Sequence, residues 1–219
     1  MRIPIAPEGL VIIRWAWYAF LLSCLTLNEW VIGVVALMFL FVLSFFRDPR
    51  RPAPRNPRHI VSAADGVITE INPITIEGVD CIQIVTFLSV FNCHVNRIPY
   101  GGTILSTTHI PGQFLGAMRR YIEEKNERQV TDIQTDIGIV RVVQLTGAIA
   151  RRIICHLTPE QLVNAGDRFG LIRFGSRTDV YVPRDRVTLN VHVGQRVKGG
   201  ITVIAQVNED QTTTHSSSS

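Results

Sequence analysis

Two apolar runs near the start of the chain constrain its fold more than any other feature. The first covers residues 10–27 and contains a single charge, Arg14, while the second covers residues 30–46 and contains none. Only two residues separate the runs. Each run is close to the length that a helix needs to cross the apolar core of a bilayer. We therefore predict a membrane-anchoring helical hairpin over residues 1–46, either spanning or re-entrant.

The segment after the second run is basic and rich in proline. Residues 47–58 read RDPRRPAPRNPR, with five arginines and four prolines. Prolines at this density exclude a helix and favour an extended linker. Arginines next to an apolar segment are typical of the cytoplasmic side of a membrane and attract anionic headgroups. These arginines account for the whole net charge of +4, so the charge gives no support to nucleic-acid binding.

Beyond the linker, the sequence changes to short apolar runs divided by Gly, Pro, Asn and Asp, which is typical of β-strands. The predicted strands cover residues 67–71, 81–87, 137–145, 149–155, 170–174, 178–182, 187–193 and 201–207. One amphipathic helix is predicted at 113–127, and a short helical turn is predicted from Thr158. Glycine turns at Gly166 and Gly194 are similar to those of lipoyl-type domains.

These elements predict a mainly β fold after the hairpin, either an antiparallel sandwich or a partly open barrel with lipoyl-like turns. We place this β-rich domain at residues 59–208 and a disordered tail at 209–219.

Several classes of site lack their signatures in the sequence. The chain has no P-loop, no dinucleotide-binding glycine motif, no nucleophile elbow and no pair of histidines at metal-binding spacing. Its four cysteines form no C-x-x-C pair, which disfavours a disulfide framework or a zinc site. We predict no metal site and no nucleic-acid partner.

The pair Gly175-Ser176 interrupts two strand-like runs and has two interpretations. The simpler one is a tight turn between strands. The other is self-processing, because a serine hydroxyl can attack the carbonyl carbon of the preceding residue and convert the amide into an ester, which β-elimination then cleaves. Glycine before the serine adds little bulk and permits strained backbone geometry. The serine would need a base, for which a histidine oriented by an aspartate is the usual choice.

Taken together, the motifs resemble the phosphatidylserine decarboxylase family in its short bacterial and archaeal form. Besides the hairpin, the matching segments are FRDP at 46–49, SAADG at 62–66, FNCHVNRIP at 91–99, PGQF at 111–114, ARRIIC at 150–155 and RFGSRTD at 173–179. The resemblance implies a zymogen that cleaves itself between Gly175 and Ser176 into chains 1–175 and 176–219. It also implies that Ser176 becomes a pyruvoyl group, so that the enzyme needs no external cofactor and no metal.

The same resemblance implies roles for individual residues. Ser176, Asp65 and His94 match the family's catalytic positions. The pyruvoyl ketone would form a Schiff base with the substrate amine, His94 would protonate the product carbon, and Asp65 would orient or charge-balance His94. Arg97, Arg173 and Arg177 are candidates for binding the substrate's carboxylate or phosphate, because a guanidinium matches both groups.

The implied activity is a lyase step of phospholipid biosynthesis, in which phosphatidylserine or archaetidylserine is decarboxylated to an ethanolamine phospholipid. The expected location is the cytoplasmic side of the cell membrane. The expected partners are the lipid substrate and the two cleaved chains, and a homodimer stays open. The alternative is a non-enzymatic, membrane-tethered adaptor with a lipoyl-like domain, which would leave the chain intact.

Overall fold

An N-terminal helical hairpin precedes a β-rich body in the computed structural model, which describes residues 4–52, 54, 56–114, 125–147, 152–173 and 176–209. Helix α1 covers Leu10–Cys24 and helix α2 covers Glu29–Phe45. The side chain of Asn28 starts α2 by accepting hydrogen bonds from two backbone N–H groups of its first turn. Within the described part of the chain, no helix combines the length and the hydropathy needed to cross a membrane.

Fourteen strands lie in the described residues, and all of their pairings are antiparallel. They are β1 (His59–Val61), β2 (Gly66–Ile76), β3 (Val79–Leu88), β4 (Val95–Arg97), β5 (Gly102–Ile110), β6 (Arg128–Thr135), β7 (Gly138–Leu145), β8 (Ile153–Cys155), β9 (Leu162–Val163), β10 (Arg168–Ile172), β11 (Ser176–Pro183), β12 (Val187–Leu189), β13 (Arg196–Val197) and β14 (Val203–Val207).

The strands form one large sheet and two small ones. The large sheet has the order β13-β2-β3-β11-β7-β6-β5-β9, and it curls into a half-barrel. The small sheets have the orders β1-β14-β12 and β4-β10-β8. Because β11 pairs with β3 on one side and β7 on the other, it is a central strand of the large sheet.

The two largest of three buried clusters among the described residues organise the packing. The larger one contains residues of the large sheet, such as Ile84 and Val180, together with residues of the small sheets, such as Phe169 and Ile204. The smaller one joins the base of the hairpin to the β4-β10-β8 sheet, because Phe45 and Phe46 pack there against Cys93, Val95 and Leu171. Burial of these apolar side chains fixes the hairpin base to the body of the protein.

The mainly antiparallel β fold with an N-terminal helical hairpin is confirmed. Gly166 and Gly194 adopt left-handed backbone conformations, with φ of 87° and 90°, as turns of this kind require. The predicted helical turn from Thr158 is wrong, because Glu160 has a φ of 68°, which an α-helix does not contain. The run at 187–193 is a strand only as far as Leu189.

Some predicted elements fall where the structure describes little. Most of the predicted helix at 113–127 and the first part of the strand at 149–155 lie outside the described residues, as does nearly all of the tail from 209. The domain boundaries at 46, 58 and 208 stay predictions.

Candidate active site

Ser176 is the first residue of β11, at one end of a central strand. Along β11, the core-facing side chains change from Val182 and Val180 to the hydroxyl side chains of Thr178 and Ser176. Ser176 is fully buried, and its Oγ has no hydrogen-bond partner among the described residues. Gly175, the other residue of the predicted cleavage site, lies outside the described residues. The core-facing side chains of β11 therefore end with a buried hydroxyl that forms no hydrogen bond with any described group.

His94 lies directly before β4 and is fixed through its backbone and its ring. Its carbonyl oxygen accepts a hydrogen bond from the N–H of Ile172 at 3.3 Å, close in sequence to Ser176. Its ring Nδ1 lies 3.0 Å from the carbonyl oxygen of Asn92. A carbonyl oxygen only accepts hydrogen bonds, so we assign the hydrogen to Nδ1 and the lone pair to Nε2. Nε2 is buried and has no partner among the described residues.

The chain brings His94 and Ser176 to the same end of the core. Asn96 lies two residues after His94, and Thr178 lies two residues after Ser176. The side-chain amide of Asn96 donates to Oγ1 of Thr178 at 3.3 Å. Both His94 and Ser176 also lie near the end of β3. Leu88, the last residue of β3, pairs with Ser176, and a short turn leads from Leu88 to His94. The buried hydroxyl of Ser176 and the buried imidazole of His94 therefore occupy one region, although they form no hydrogen bond with each other.

A buried polar network lies beside this region, and no sequence motif pointed to it. Gln144 is the cross-strand neighbour of Thr178, and its Nε2 donates to Oδ1 of Asn96 at 2.7 Å. Gln144 Oε1 is buried without a hydrogen-bond partner in the described part of the chain. The only available signal was the presence of polar residues at core-facing positions of strands.

Burial lowers the pKa of His94 to about 4, and the positive charge of Arg47 acts in the same direction. The carbonyl of Asn92 and the charge of Asp65 oppose this shift. The ring of Phe45 covers the imidazole, with the ring centroids 4.3 Å apart. His94 is therefore neutral near pH 7, with Nε2 able to accept a proton.

Asp65 forms a partly buried ion pair with Arg51. Arg51 Nη1 and Nη2 lie 2.5 Å and 2.8 Å from the two carboxylate oxygens. The N–H of Gly199 also donates to Oδ1 of Asp65 at 2.8 Å, and Arg51 donates to the carbonyl of Gly199. Neither ring nitrogen of His94 forms a hydrogen bond with Asp65, and the negative charge of Asp65 acts to raise the pKa of His94.

Two of the three candidate arginines contact the N-terminal segment. Arg97 donates to Asp48 at 2.9 Å and to the carbonyl oxygens of Pro49 and Gly166, each at 3.1 Å. Arg173 donates to the carbonyl oxygen of Glu8 at 3.0 Å. The Nε–H of Arg173 is buried and has no acceptor among the described residues. Burial lowers the pKa of Arg173.

The third candidate, Arg177, lies next to Ser176 on β11, so its side chain projects from the opposite face of the sheet. Arg177 Nε and Nη2 each donate to the carboxylate of Asp179 at 2.7 Å. Asp179 also accepts a hydrogen bond from the side-chain amide of Gln83 at 2.9 Å. Arg177 is therefore held in a buried network on the face away from the Ser176 hydroxyl.

Among the described residues, no group of three or more His, Cys, Asp or Glu side chains is arranged to hold a metal ion.

Comparison with known proteins gives a consistent result over most of the chain. The family model for phosphatidylserine decarboxylase matches residues 38–205. A protein of Carboxydothermus hydrogenoformans is 40% identical over 200 residues, which are 87% of this chain and 93% of that protein. A protein of Wolbachia pipientis wMel is 43% identical over 202 residues, covering 88% and 87% of the two chains. A protein of Desulfotalea psychrophila is 39% identical over 211 residues, covering 94% and 98%. All three relatives are named phosphatidylserine decarboxylase proenzyme.

Proposed function

The chain belongs to the phosphatidylserine decarboxylase family, and on that premise we propose that it is a self-processing enzyme that converts phosphatidylserine into an ethanolamine phospholipid. The Schiff-base chemistry of a pyruvoyl group made from Ser176 would carry the reaction, with no metal and no external cofactor. Archaetidylserine has the same headgroup, so the same chemistry would apply to an ether-linked substrate.

The buried, unpaired hydroxyl of Ser176 is the observation that carries this proposal. When a serine becomes a pyruvoyl group, its CH₂OH becomes a methyl group and its nitrogen is replaced by a ketone oxygen. At Ser176 the change removes a hydroxyl that no described residue holds, so it breaks no hydrogen bond of that hydroxyl. The same unpaired hydroxyl is available as a nucleophile. Ser176 therefore fits both the precursor and the mature group.

Self-cleavage would begin with attack of Ser176 Oγ on the carbonyl carbon of Gly175. The amide C–N bond breaks and an ester forms, while His94 takes the hydroxyl proton at Nε2 and passes it to the departing nitrogen. Loss of the Cα proton of residue 176 then expels the carboxylate of Gly175. Water finally replaces the nitrogen of residue 176, which leaves as ammonia. A neutral His94 suits the first step, because its pKa lies about 4.

For decarboxylation, a pyruvoyl group supplies a ketone that condenses with an amine and accepts the electron pair left by carbon dioxide. His94 would hold the proton that the product carbon receives. Arg173 has a buried donor without an acceptor among the described residues, which favours it for the substrate carboxylate. Arg97 and Arg177 would act indirectly, through the carboxylates of Asp48 and Asp179 that they already bind. Asp65 would keep the basicity of His94 from falling further.

The lipid substrate stays in a bilayer, so the enzyme would work at the membrane surface, and the hairpin is the candidate anchor. Among the described residues, 25 large hydrophobic residues are exposed, and 16 of these lie between residues 10 and 41. Trp30 and Leu27, near the tip of the hairpin, are 86% and 87% exposed. A patch of this kind favours burial in lipid, with tryptophans at the interface. The arginines that follow α2 favour the cytoplasmic leaflet.

After cleavage, chain 176–219 would stay with chain 1–175. Eight residues of β11 pair with β3 and five pair with β7. These backbone hydrogen bonds do not depend on the bond between residues 175 and 176.

Intact-mass measurement of the purified protein under denaturing conditions tests this proposal. We expect two chains that separate at residue 176, with a pyruvoyl group at the start of the smaller one. A Ser176→Ala variant should stay as a single chain, whereas a Ser106→Ala control should cleave normally. Purified protein should then release carbon dioxide from phosphatidylserine vesicles.

A single unmodified chain from the wild type, with no carbon dioxide released, would instead favour the membrane-tethered adaptor. Cleavage without release of carbon dioxide from phosphatidylserine would support self-processing and overturn the proposed substrate.

A further inference from the structure

A cavity of about 330 Å³ lies at the base of the helical hairpin, where the N-terminal segment meets the β-rich body. Four arginines and one acid dominate its lining, namely Arg50, Arg51, Arg97, Arg168 and Asp48. Neither Ser176 nor His94 lines this cavity. We call it the arginine cavity.

One donor in the arginine cavity is not satisfied. Arg168 Nε is buried and has no hydrogen-bond acceptor among the described residues. It lies 3.3 Å from Oδ2 of Asp48, but the geometry is not that of a hydrogen bond. The other end of the same guanidinium donates to the carboxylate of Glu8. Burial of an unsatisfied charged donor is unfavourable, so the site would gain from an added acceptor.

The four arginines of the arginine cavity face three carboxylates, those of Asp48, Asp65 and Glu8, so one positive charge is in excess. The carboxylate of Asp48 is shared between two guanidinium groups. Its Oδ1 lies 2.9 Å from Nη2 of Arg97, and its Oδ2 lies 3.3 Å from Nε of Arg168. Burial lowers the pKa of Arg97, and the charge of Arg51 lowers it further, as expected where cations crowd together. Arg50 is exposed and makes no ion pair with any described residue. A bound anion would relieve this crowding.

We propose that the arginine cavity binds a phosphate group. Guanidinium groups match the geometry and charge of phosphate oxygens, and several of them converge here on one small space. The phosphate could belong to a lipid headgroup or be free inorganic phosphate. The lipid source rests on the proposed function, since it needs the hairpin to lie in the membrane, whereas binding of phosphate itself does not.

Calorimetric titration of the full-length Ser176→Ala variant in a maltoside detergent tests the proposal. This background removes cleavage and turnover, so the result does not depend on the proposed activity. The two probes are inorganic phosphate and a short-chain phosphatidylglycerol kept below its micelle concentration, both at about 0.15 M salt. Arg50→Gln removes a lining arginine that has no ion pair to lose, and Arg196→Gln is the matched control on β13.

Saturable binding that Arg50→Gln weakens about tenfold, with Arg196→Gln unchanged, would support the site. Tighter binding of the lipid than of inorganic phosphate would identify a headgroup as the source, and equal binding would identify the free anion. Absence of saturable binding by either probe would overturn the proposal. Equal weakening by the two substitutions would also overturn it, because it would show only a general effect of charge.

Discussion

The ring of Phe45 lies against the imidazole of His94, with centroids 4.3 Å apart and ring planes inclined by 33°. Phe45 is the last residue of helix α2, and it belongs to the buried cluster that joins the hairpin to the β4-β10-β8 sheet. Through this contact the hairpin forms part of the wall around the imidazole. The environment of His94 and the attachment of the hairpin are therefore coupled through one aromatic residue.

Replacement of Phe45 by leucine is expected to raise the pKa of His94 from about 4 toward its ordinary value of 6.5, because water gains access to the ring. In the proposed mechanism self-cleavage needs a neutral His94, so the decline of its rate at low pH should move to higher pH by about one to two units. The measurement is the rate of appearance of chain 1–175 from precursor made by cell-free synthesis, as a function of pH.

Phe39→Leu is the control for this change, because Phe39 stacks on Phe20 and Trp17 inside the hairpin, away from His94. Its pH profile should match that of the wild type. An unchanged profile for Phe45→Leu would show that the ring does not set the basicity of His94.

The buried, neutral His94 should also make the stability of the precursor depend on pH. Between about pH 4 and 6.5, the unfolded chain binds a proton at this histidine and the folded chain does not. Stability should therefore rise with pH across this window and should be insensitive to His94 outside it. The full effect would be at most about 3 kcal/mol.

A comparison of Ser176→Ala with Ser176→Ala/His94→Gln isolates this contribution, because all other titrating groups are shared. The difference in melting temperature between the two variants should change between pH 4 and 6.5. A constant difference across that range would contradict the assignment of a buried neutral imidazole.

The ion pair between Asp65 and Arg51 allows a test of how Asp65 acts. Asp65→Asn leaves a buried guanidinium without its counter-charge, which should cost about 3 kcal/mol of folding free energy in the Ser176→Ala background. The double variant Asp65→Asn/Arg51→Gln should recover a good part of that loss, because it removes both charges. Asp80→Asn, at an exposed residue, is the control and should change stability by less than about 0.5 kcal/mol.

Self-cleavage distinguishes an electrostatic role of Asp65 from a structural one. The charge of Asp65 raises the pKa of His94, so its loss should lower that pKa and weaken the base. If Asp65 acts through its charge on His94, the double variant should regain stability and still cleave slowly. Recovery of both properties together would assign Asp65 a purely structural role.

The sequence singled out Ser176 and His94 as candidate site residues but not the side chains around them. Both were recognised because each lies inside a motif that is local in the chain. The contacts of Asn96 and Gln144 depend on the register of β11 against β7 and on the packing of β4 over the large sheet. The contact of Phe45 depends on how the hairpin meets the β-rich body. Such long-range relations leave no periodic signal in the sequence.

Strands β5 and β6 illustrate the same limit for the fold, because neither was predicted. In β5, hydroxyl side chains fill many positions, and a bulge between Ile104 and Ser106 breaks the two-residue period. In β6, buried threonines replace apolar residues at inward positions. The apolar alternation that marks an ordinary strand is therefore weak in both, although both pair along most of their length.

Thr178→Val tests the polar network beside Ser176. The substitution keeps the shape of the side chain but removes the oxygen that accepts from the Asn96 amide, leaving that donor buried and unpaired. We expect a loss of about 1–3 kcal/mol in stability, together with slower self-cleavage because His94 and Ser176 lose the bond that ties their strands. Thr188→Val, at an exposed threonine, should cost less than about 1 kcal/mol and leave cleavage unchanged. Normal cleavage in Thr178→Val would exclude the network from alignment.

Glu8 ties the start of the chain to the β-rich body through His156 and Arg168. Burial acts to raise the pKa of Glu8. The net pKa is nevertheless lowered, because Glu8 forms hydrogen bonds with His156, its own backbone and Arg168, and because Arg168 is positively charged. A lowered carboxyl pKa contributes stability above its unfolded value of 4.5, and this contribution is lost as pH falls through the folded value.

In the Ser176→Ala background, Glu8→Gln should therefore reduce stability at pH 7 by about 1–3 kcal/mol, with a smaller difference from the parent below pH 4. The Arg58–Glu209 pair is exposed, so Glu209→Gln should cost less than about 1 kcal/mol. A Glu8→Gln effect that persists unchanged at low pH would mean that packing, and not the charge of Glu8, holds the hairpin base.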